Sequence, residues 1–326
     1  MTRRVLTILL AAAILAAAVP VYADGGADAG AQLEADLAAI MSEHGLDEGN
    51  IAFGYRRTTD WTQFTFNEDA LFESASVYKL ALNMYYYEQE AAGNIAPDAV
   101  YGGVPLSDCH RLSLQYSNND LSRVMLDAAF PDFADYKRLA AGYAGIDVRA
   151  LDEEYLYSSE FNVNIQLGVL QRLYDGADST YAEAIGYLKA AQPGEYFKSG
   201  VTEYEIAQKY GYDTYGGSLY VATVGIVFAE EPFLIAVFTR SVPGAGNVIG
   251  EICRAFCDYN DAPHDPLPEP EAPPVACASP VTPEVPLTAR REELAAAVAG
   301  AAAALSLLPA AGEALIASVQ APGTTP

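Results

Sequence analysis

The chain has 326 residues, 51% of them apolar, and its 18 Lys and Arg against 43 Asp and Glu give a formal net charge of −25. This composition is typical of a folded globular protein and not of a disordered acidic chain. Because a strongly negative surface repels phosphate groups, the charge disfavours nucleic acid and anionic membrane surfaces as partners.

Residues 1–23 are typical of a signal peptide, in which Arg3 and Arg4 precede an uncharged run from Val5 to Val19 and then small residues. The alternative is an uncleaved N-terminal anchor, but an apolar run of this length is short for a membrane span. We therefore expect export, with the protein secreted or held in the cell envelope.

The C-terminal part of the sequence divides into a linker and a tail. Nine prolines lie between Pro263 and Pro286, which predicts an extended acidic linker over residues 261–291. The Ala-rich tail, residues 292–326, has an uncharged run of spanning length, but Pro309 interrupts it and no basic residue follows. A membrane anchor needs more large apolar residues and a basic flank. We interpret the tail as a surface helix, with membrane association as the alternative.

Residues 24–260 form the predicted domain, with strands at both ends and helices between. A helix over 31–44 precedes a hairpin of strands 51–57 and 61–66. Helical patterns follow at 76–92, 120–129, 132–143, 163–174 and 181–191. Beyond residue 200 come strands over 205–212, 218–229 and 232–242 and a helix over 247–257. We expect an α+β (α/β) fold, with one mixed, mainly antiparallel sheet from both chain ends, flanked by helices, and an inserted all-helical lobe.

No metal or other cofactor is predicted, because the three histidines are scattered and there is no CxxC pair. The four cysteines, Cys109, Cys253, Cys257 and Cys277, allow three complete pairings in an oxidising compartment. The sequence does not choose among these pairings, although Cys253 and Cys257 are badly placed on one helix for a mutual bridge.

Three short motifs carry chemistry. In FESASVYKL, Ser76 opens a helix and Lys79 follows one turn later, so both side chains project from the same face. A serine hydroxyl needs a base to become a nucleophile, and a buried neutral lysine can be that base. The helix N-terminal amides can stabilise an oxyanion. An isolated SxxK is more often only a capping serine and a solvated lysine.

The second motif is YSNND, which places Ser117 and Asn119 just before a helical pattern. The third is EIAQKYGY, in which Lys209 lies within a predicted strand. A lysine on an inner strand is costly unless a site uses it.

In order and spacing, SVYK at 76, SNN at 117 and KYG at 209 resemble the SxxK, SDN and KTG motifs of the class A β-lactamases and related penicillin-binding serine hydrolases. The resemblance covers roughly residues 24–259. It implies a class A β-lactamase-like fold and serine acyl hydrolase activity.

The resemblance also implies residue roles. Ser76 is the expected nucleophile, Lys79 its general base, and Ser117 the relay of the proton to the leaving nitrogen. Asn119 is expected to bind the substrate amide, and Lys209 to supply positive potential for the substrate carboxylate and for Ser117. The substrate-binding set is Asn119, Lys209, Gly211 and Tyr212, with the backbone amides of Ser76 and Tyr212 as the oxyanion hole.

The segment KSG at Lys198 is closer in letters to KTG than KYG is. We nevertheless prefer Lys209, because Lys198 precedes a polar turn whereas Lys209 lies in the strand just before the next one.

Two departures from the family limit the functional prediction. The family hydrolyses its acyl-enzyme with a glutamate on the loop corresponding to residues 144–161, where this chain has Ser158 and only Glu153, Glu154 and Glu160 as weak candidates. Tyr210 also replaces a threonine, which puts a bulky phenol where a hydroxyl contacts the substrate carboxylate. We expect acylation to be intact and deacylation to be slow.

Three hypotheses follow. The first is a β-lactamase or β-lactamase-like hydrolase with a small β-lactam as partner. The second is a D,D-peptidase-type enzyme acting on peptidoglycan stem peptides. The third is a non-catalytic binding protein that retains the fold.

Overall fold

The computed structural model describes residues 27–262. The predicted signal peptide, the tail and nearly all of the linker lie outside these residues, as does Cys277, so the predicted domain boundaries stay predictions. Within the described range, no helix is long and apolar enough to cross a membrane. The three cysteines of that range, Cys109, Cys253 and Cys257, are buried free thiols.

Both ends of the described chain contribute to one five-stranded sheet. Its strands are β1 (Ile51–Arg57), β2 (Gln63–Phe66), β7 (Glu205–Tyr215), β8 (Ser218–Phe228) and β9 (Phe233–Arg240). Their order is β2-β1-β9-β8-β7, and every pairing is antiparallel. Strands β1 and β9, far apart in sequence, pair in the register Gly54↔Ala236. The alternating side chains of these strands supply a core on each face of the sheet.

Helices cover both faces. On one face lie α1 (Ala27–His44) and α10 (Ala245–Asp261), whose apolar sides pack on β1 and β9 in a core that includes Leu37, Phe53 and Phe256. The other face carries the helical lobe.

The short α9 (Phe197–Gly200) lies with α10 on the first face, where Phe197 is part of the same core. The lobe contains α2 (Lys79–Ala91), α3 (Leu106–Leu114), α4 (Asn119–Ala129), α5 (Phe133–Tyr143), α6 (Glu153–Tyr157), α7 (Val163–Asp175) and α8 (Ala182–Lys189). Two small ladders complete it, β3 (Phe72–Glu73) with β6 (Glu160–Phe161), and β4 (Val100–Tyr101) with β5 (Val104–Pro105).

The predicted fold class is confirmed, with the sheet entirely antiparallel in the described part. Helix α3 was not predicted. Its buried side carries His110 and Ser113 among Leu106, Cys109 and Leu114, and these polar residues weaken the apolar periodicity on which a sequence prediction depends.

Candidate active site

The predicted nucleophile lies in a sharp turn between a strand and a helix. Strand β3 ends at Glu73, and a 3₁₀ turn over Ala75–Tyr78 leads into α2 at Lys79. Ala75 has φ of +45°, a left-handed conformation that is costly for a residue with a Cβ. The fully buried Val77 anchors the turn in the core. This geometry leaves Ser76 lining an open cleft while Lys79 points inward beneath it.

The Lys79 ammonium is surrounded by oxygen atoms. Its Nζ donates to Ser76 Oγ at 2.9 Å, to Asn119 Oδ1 at 2.6 Å, and to Ser117 at 2.7 Å (carbonyl O) and 3.2 Å (Oγ). An ammonium has three protons, and here four oxygens surround it. When Lys79 is neutral, its lone pair is therefore within reach of the Ser76 hydroxyl proton.

Burial makes a neutral Lys79 accessible near neutral pH. The side chain is 0% exposed, and desolvation of the charged form lowers the pKa of Lys79 to about 8. A base with a pKa close to the working pH can take a proton and return it without a large penalty.

The start of α4 supplies the second motif. Asn118 caps this helix, its side chain accepting the amide of Leu121 at 2.9 Å, and its carbonyl accepts the Ser122 hydroxyl. Ser117, with φ of +55°, precedes the cap. The cap therefore holds Ser117 and Asn119 on the side of the helix that faces Lys79.

The third motif lies on β7, the edge strand beside the nucleophile turn. Lys209 Nζ donates to Ser117 Oγ at 3.0 Å and to the Tyr210 carbonyl at 2.6 Å. Burial first, and then the Lys79 charge, hold the pKa of Lys209 well below its usual value. By contrast, the alternative Lys198 is on α9, where its Nζ donates to the Lys189 carbonyl at 2.6 Å. The structure thus brings Lys209, and not Lys198, to the predicted site.

Ser117 Oγ is placed between the two lysines, because it accepts hydrogen bonds from both. A hydroxyl has two acceptor positions and one proton. With both acceptor positions taken, the Ser117 proton is the one free to be donated to a substrate.

Glycine is required at position 211 because β7 approaches the nucleophile turn closely. A Cβ at Gly211 would lie 2.4 Å from Ser76 N and 3.0 Å from both Ala75 Cβ and Ser74 O. The neighbouring Tyr212 lines the same cleft as Ser76. Since β7 is an edge strand, alternate N–H groups point away from β8, as an oxyanion hole at Tyr212 would need.

The prediction for Tyr210 is wrong. Side chains alternate along a strand, and Tyr210 lies in the core on the α1 and α10 side of the sheet, with Lys209 Nζ 4.5 Å from its ring centroid. There it is 5% exposed, stacks on Tyr196 with ring centroids 4.9 Å apart, and donates its hydroxyl to the Gln192 carbonyl. The phenol does not occupy the place expected for a substrate carboxylate.

The cleft above Ser76 has a volume of about 470 Å³. Its lining includes Ser76, Tyr78, Asn119 and Tyr212, together with four carboxylates, Glu73, Asp127, Asp132 and Asp213. Of these carboxylates, Glu73 is the buried one, 7% exposed.

The loop over residues 144–161 brings none of its three glutamates to the cleft. Glu153 is exposed, whereas Glu154 and Glu160 line a separate cavity of about 560 Å³. Ser158, where the sequence resemblance places the family's glutamate, donates its hydroxyl to the Tyr155 carbonyl at 3.4 Å.

A buried lysine supports this loop from below. Lys137 Nζ donates to the carbonyls of Glu160 and Ser158 and lies over the Tyr155 ring, 3.8 Å from its centroid, and the Phe161 ring, 4.0 Å away. Desolvation lowers the pKa of Lys137 to about 7, against the attraction of Glu160 and Glu73.

Glu73 was missed in the sequence. Its Oε1 accepts the Ala75 amide at 3.0 Å, and its Oε2 accepts the Ser159 hydroxyl. The signal available in the sequence was an acidic residue directly after the apolar Phe72 and three residues before the nucleophile.

Among the described residues, no group of three or more His, Cys, Asp or Glu is arranged to hold a metal ion.

This fold and this arrangement define the class A β-lactamase-like serine hydrolases. The family model described as "Beta-lactamase enzyme family" matches residues 32–259. The chain belongs to this family, as the motifs predicted.

Solved structures agree on the fold. The chain is similar to a β-lactamase from Chitinophaga pinensis, with 17% identity, a TM-score of 0.59, and coverage of 70% of this chain and 99% of that one. It is also similar to a class A β-lactamase reconstructed for the last common ancestor of Gram-negative bacteria, with 17% identity, a TM-score of 0.59, and coverage of 69% and 98%. No curated protein matches the chain significantly.

Proposed function

We propose that this chain is an exported serine acyl hydrolase that opens β-lactam amides through an acyl-enzyme at Ser76 and deacylates slowly. The observation that carries the proposal is the contact of the Lys79 amine with Ser76 Oγ at 2.9 Å, in a site where burial lowers the pKa of Lys79 to about 8. The signal-like sequence of residues 1–23 supports export.

Acylation follows from the positions of these groups. Lys79 takes the Ser76 proton as Ser76 Oγ attacks the amide carbonyl, and the Ser76 and Tyr212 amides stabilise the oxyanion. Ser117 donates its proton to the departing nitrogen as the C–N bond breaks, and Lys79, 3.2 Å from Ser117 Oγ, replaces that proton. The Lys209 charge favours a substrate that carries a carboxylate.

Slow deacylation is proposed because the loop over 144–161 offers no carboxylate to the cleft. A water needs a base within hydrogen-bond reach to attack the ester. The same observation favours a second candidate, a D,D-peptidase-type enzyme on peptidoglycan stem peptides, in which an amine can replace water as the acyl acceptor.

The test is intact-mass measurement at successive times after mixing with a penicillin. We expect one penicillin added to each protein molecule, persisting for minutes or longer, and no adduct for Ser76→Ala. Ser107→Ala, at an exposed serine on α3, is the control and should label normally. Labelling of Ser76→Ala would refute the nucleophile assignment. Rapid turnover without an adduct would refute slow deacylation, and release of D-alanine from a stem peptide would favour the second candidate.

A further inference from the structure

We propose that Glu73 is the general base that activates water for hydrolysis of the acyl-enzyme. The inference rests on the proposed acyl-enzyme at Ser76 and assigns the step for which the loop lacks a glutamate. The base would come from β3, on the N-terminal side of the nucleophile.

Three of the four carboxylates that line the cleft are poor candidates. Asp127 is exposed and paired with Arg123, and Asp132 is exposed and accepts the Asp135 amide at the start of α5. Asp213 is exposed on β7. Glu73 differs, because it is buried against the nucleophile turn and still borders the cleft.

The hydrogen bonds of Glu73 bring its carboxylate close to the reacting bond. Oε1 accepts the amide of Ala75, the residue directly before Ser76, at 3.0 Å. One water bridges two polar groups that are roughly 5 Å apart, the span of two hydrogen bonds. The Glu73 carboxylate is bound to the residue directly before Ser76, and both side chains line the same cleft, so a water in this cleft is the group that can join them.

The orientation of Glu73 is also fixed. Ser159 donates its hydroxyl to Glu73 Oε2, and the Ser159 carbonyl accepts the Ser74 hydroxyl at 3.1 Å. Pairing of β3 with β6 in the register Glu73↔Glu160 ties the same two segments through their backbones. A carboxylate has about four acceptor positions, so these two contacts leave capacity for a water.

Glu160, which pairs with Glu73 across the ladder of β3 and β6, is the remaining carboxylate beside it. Glu160 cannot take the role itself, because its side chain lines the separate cavity beside Arg240.

In the proposed step, the water oxygen bonds to the acyl carbonyl carbon while one water proton passes to Glu73. Exchange with solvent carries that proton from Glu73 to Lys79, which acylation left neutral. The ester bond from carbon to Ser76 Oγ then breaks as Lys79, 2.9 Å from Oγ, protonates it. The products are free serine and the carboxylic acid, with Glu73 ionised and Lys79 neutral again. Atoms and charge balance without a further reactant.

The test compares acyl-enzymes isolated from excess penicillin. Glu73→Gln keeps the acceptor for the Ala75 amide but not the base, so acylation should stay within about threefold and hydrolysis should slow about 100-fold or more. The matched control, Glu160→Gln, should hydrolyse its adduct at nearly the wild-type rate. Glu73→Asp, which retracts the charge by one methylene, should be intermediate, and Ser159→Ala should slow hydrolysis several-fold.

Two readouts separate a base from a structural residue. The wild-type hydrolysis rate should fall at acidic pH as one carboxylate is protonated, and this dependence should be missing in Glu73→Gln. Hydroxylamine, which is nucleophilic without a base, should release the adduct equally fast from both proteins.

Hydrolysis at the wild-type rate in Glu73→Gln, or an equal loss in Glu160→Gln, would overturn the assignment of Glu73 while leaving the acyl-enzyme intact. If Glu73→Gln does not fold, hydrolysis at the wild-type rate in both Glu73→Asp and Ser159→Ala would likewise overturn the assignment of Glu73. Failure of the wild type to form any adduct would refute the proposed function, and the assignment of Glu73 with it.

Discussion

Two buried lysines, Lys79 directly after the nucleophile turn and Lys137 under the loop over residues 144–161, have different surroundings. Lys79 contacts the hydroxyls of Ser76 and Ser117, whereas Lys137 contacts two carbonyls and two aromatic rings. Burial lowers both pKa values, to about 8 and about 7. A lowered pKa alone therefore does not identify a catalytic lysine. Lys79 differs because it contacts serine hydroxyls, which can give up a proton. The carbonyls and rings around Lys137 have no such proton, so Lys137 can only stabilise their positions.

The largest difference between the two lysines should be in acylation. Lys79→Ala should slow acylation by a penicillin about 1000-fold, because it removes the base that takes the Ser76 proton. Lys137→Met should change the acylation rate less than tenfold, because it removes only support for the loop. Stopped-flow or quenched mass measurements give both rates. Equal losses in the two variants would contradict the distinction.

Lys209 extends the comparison to a cation that acts on Ser117. Lys209→Ala should cost about 2–4 kcal/mol of transition-state stabilisation in kcat/KM for a substrate with a carboxylate. The control is Lys198→Ala, which should cost well under 1 kcal/mol, because Lys198 bonds a helix-end carbonyl away from the cleft. The reverse ranking would place the third motif on the wrong segment.

The lowered pKa of Lys137 should make the free energy of unfolding depend on pH. The folded pKa is about 7 and the usual value is 10.5. Between these values the unfolded chain binds more protons than the folded one, so the Lys137 contribution makes the free energy of unfolding rise with pH. The free-energy cost of burying the charged Lys137 side chain is fully present below pH 7 and is relieved as the pH rises toward 10.5.

Lys137→Met lacks this dependence. Relative to the wild type, the variant should be most favoured near pH 6 and lose that advantage progressively between pH 7 and pH 10.5, as measured by denaturant unfolding. The buried Lys79 and Lys209 are present in both proteins, so their contributions cancel in the difference. A stability difference that does not change with pH would show that Lys137 titrates normally.

Tyr210 should give the smallest effect. Tyr210→Phe removes the hydrogen bond to the Gln192 carbonyl and should cost about 1 kcal/mol of stability. Because Tyr210→Phe keeps the ring that Lys209 Nζ contacts and removes only a hydroxyl that does not line the cleft, KM and kcat should stay unchanged. A raised KM for a carboxylate-bearing substrate, with stability intact, would instead support the expected contact with substrate.

The elements with strong periodicity were predictable. Strand β1, residues 51–57, has the predicted bounds, and the helix predicted over 163–174 differs from α7 by one residue. The motifs also placed Ser76, Lys79, Ser117, Asn119 and Lys209 in one site, because each motif is short and its residues are held by one turn or cap. Helix α3 was not predicted, because polar residues occupy part of its buried side.

The sequence by itself determined the fold class, the family and the groups that meet around Ser76, because hydrophobic period and motif spacing are local properties of the chain. Only the tertiary structure decided which face of β7 Tyr210 occupies and which of the four carboxylates of the cleft is buried beside the nucleophile turn. Both depend on how separate segments meet: β7 against the nucleophile turn, where Gly211 permits the approach, and β3 against β6, where Ser159 meets Glu73. Contacts between segments 85 or more residues apart leave no local pattern, so packing of the whole domain decides them.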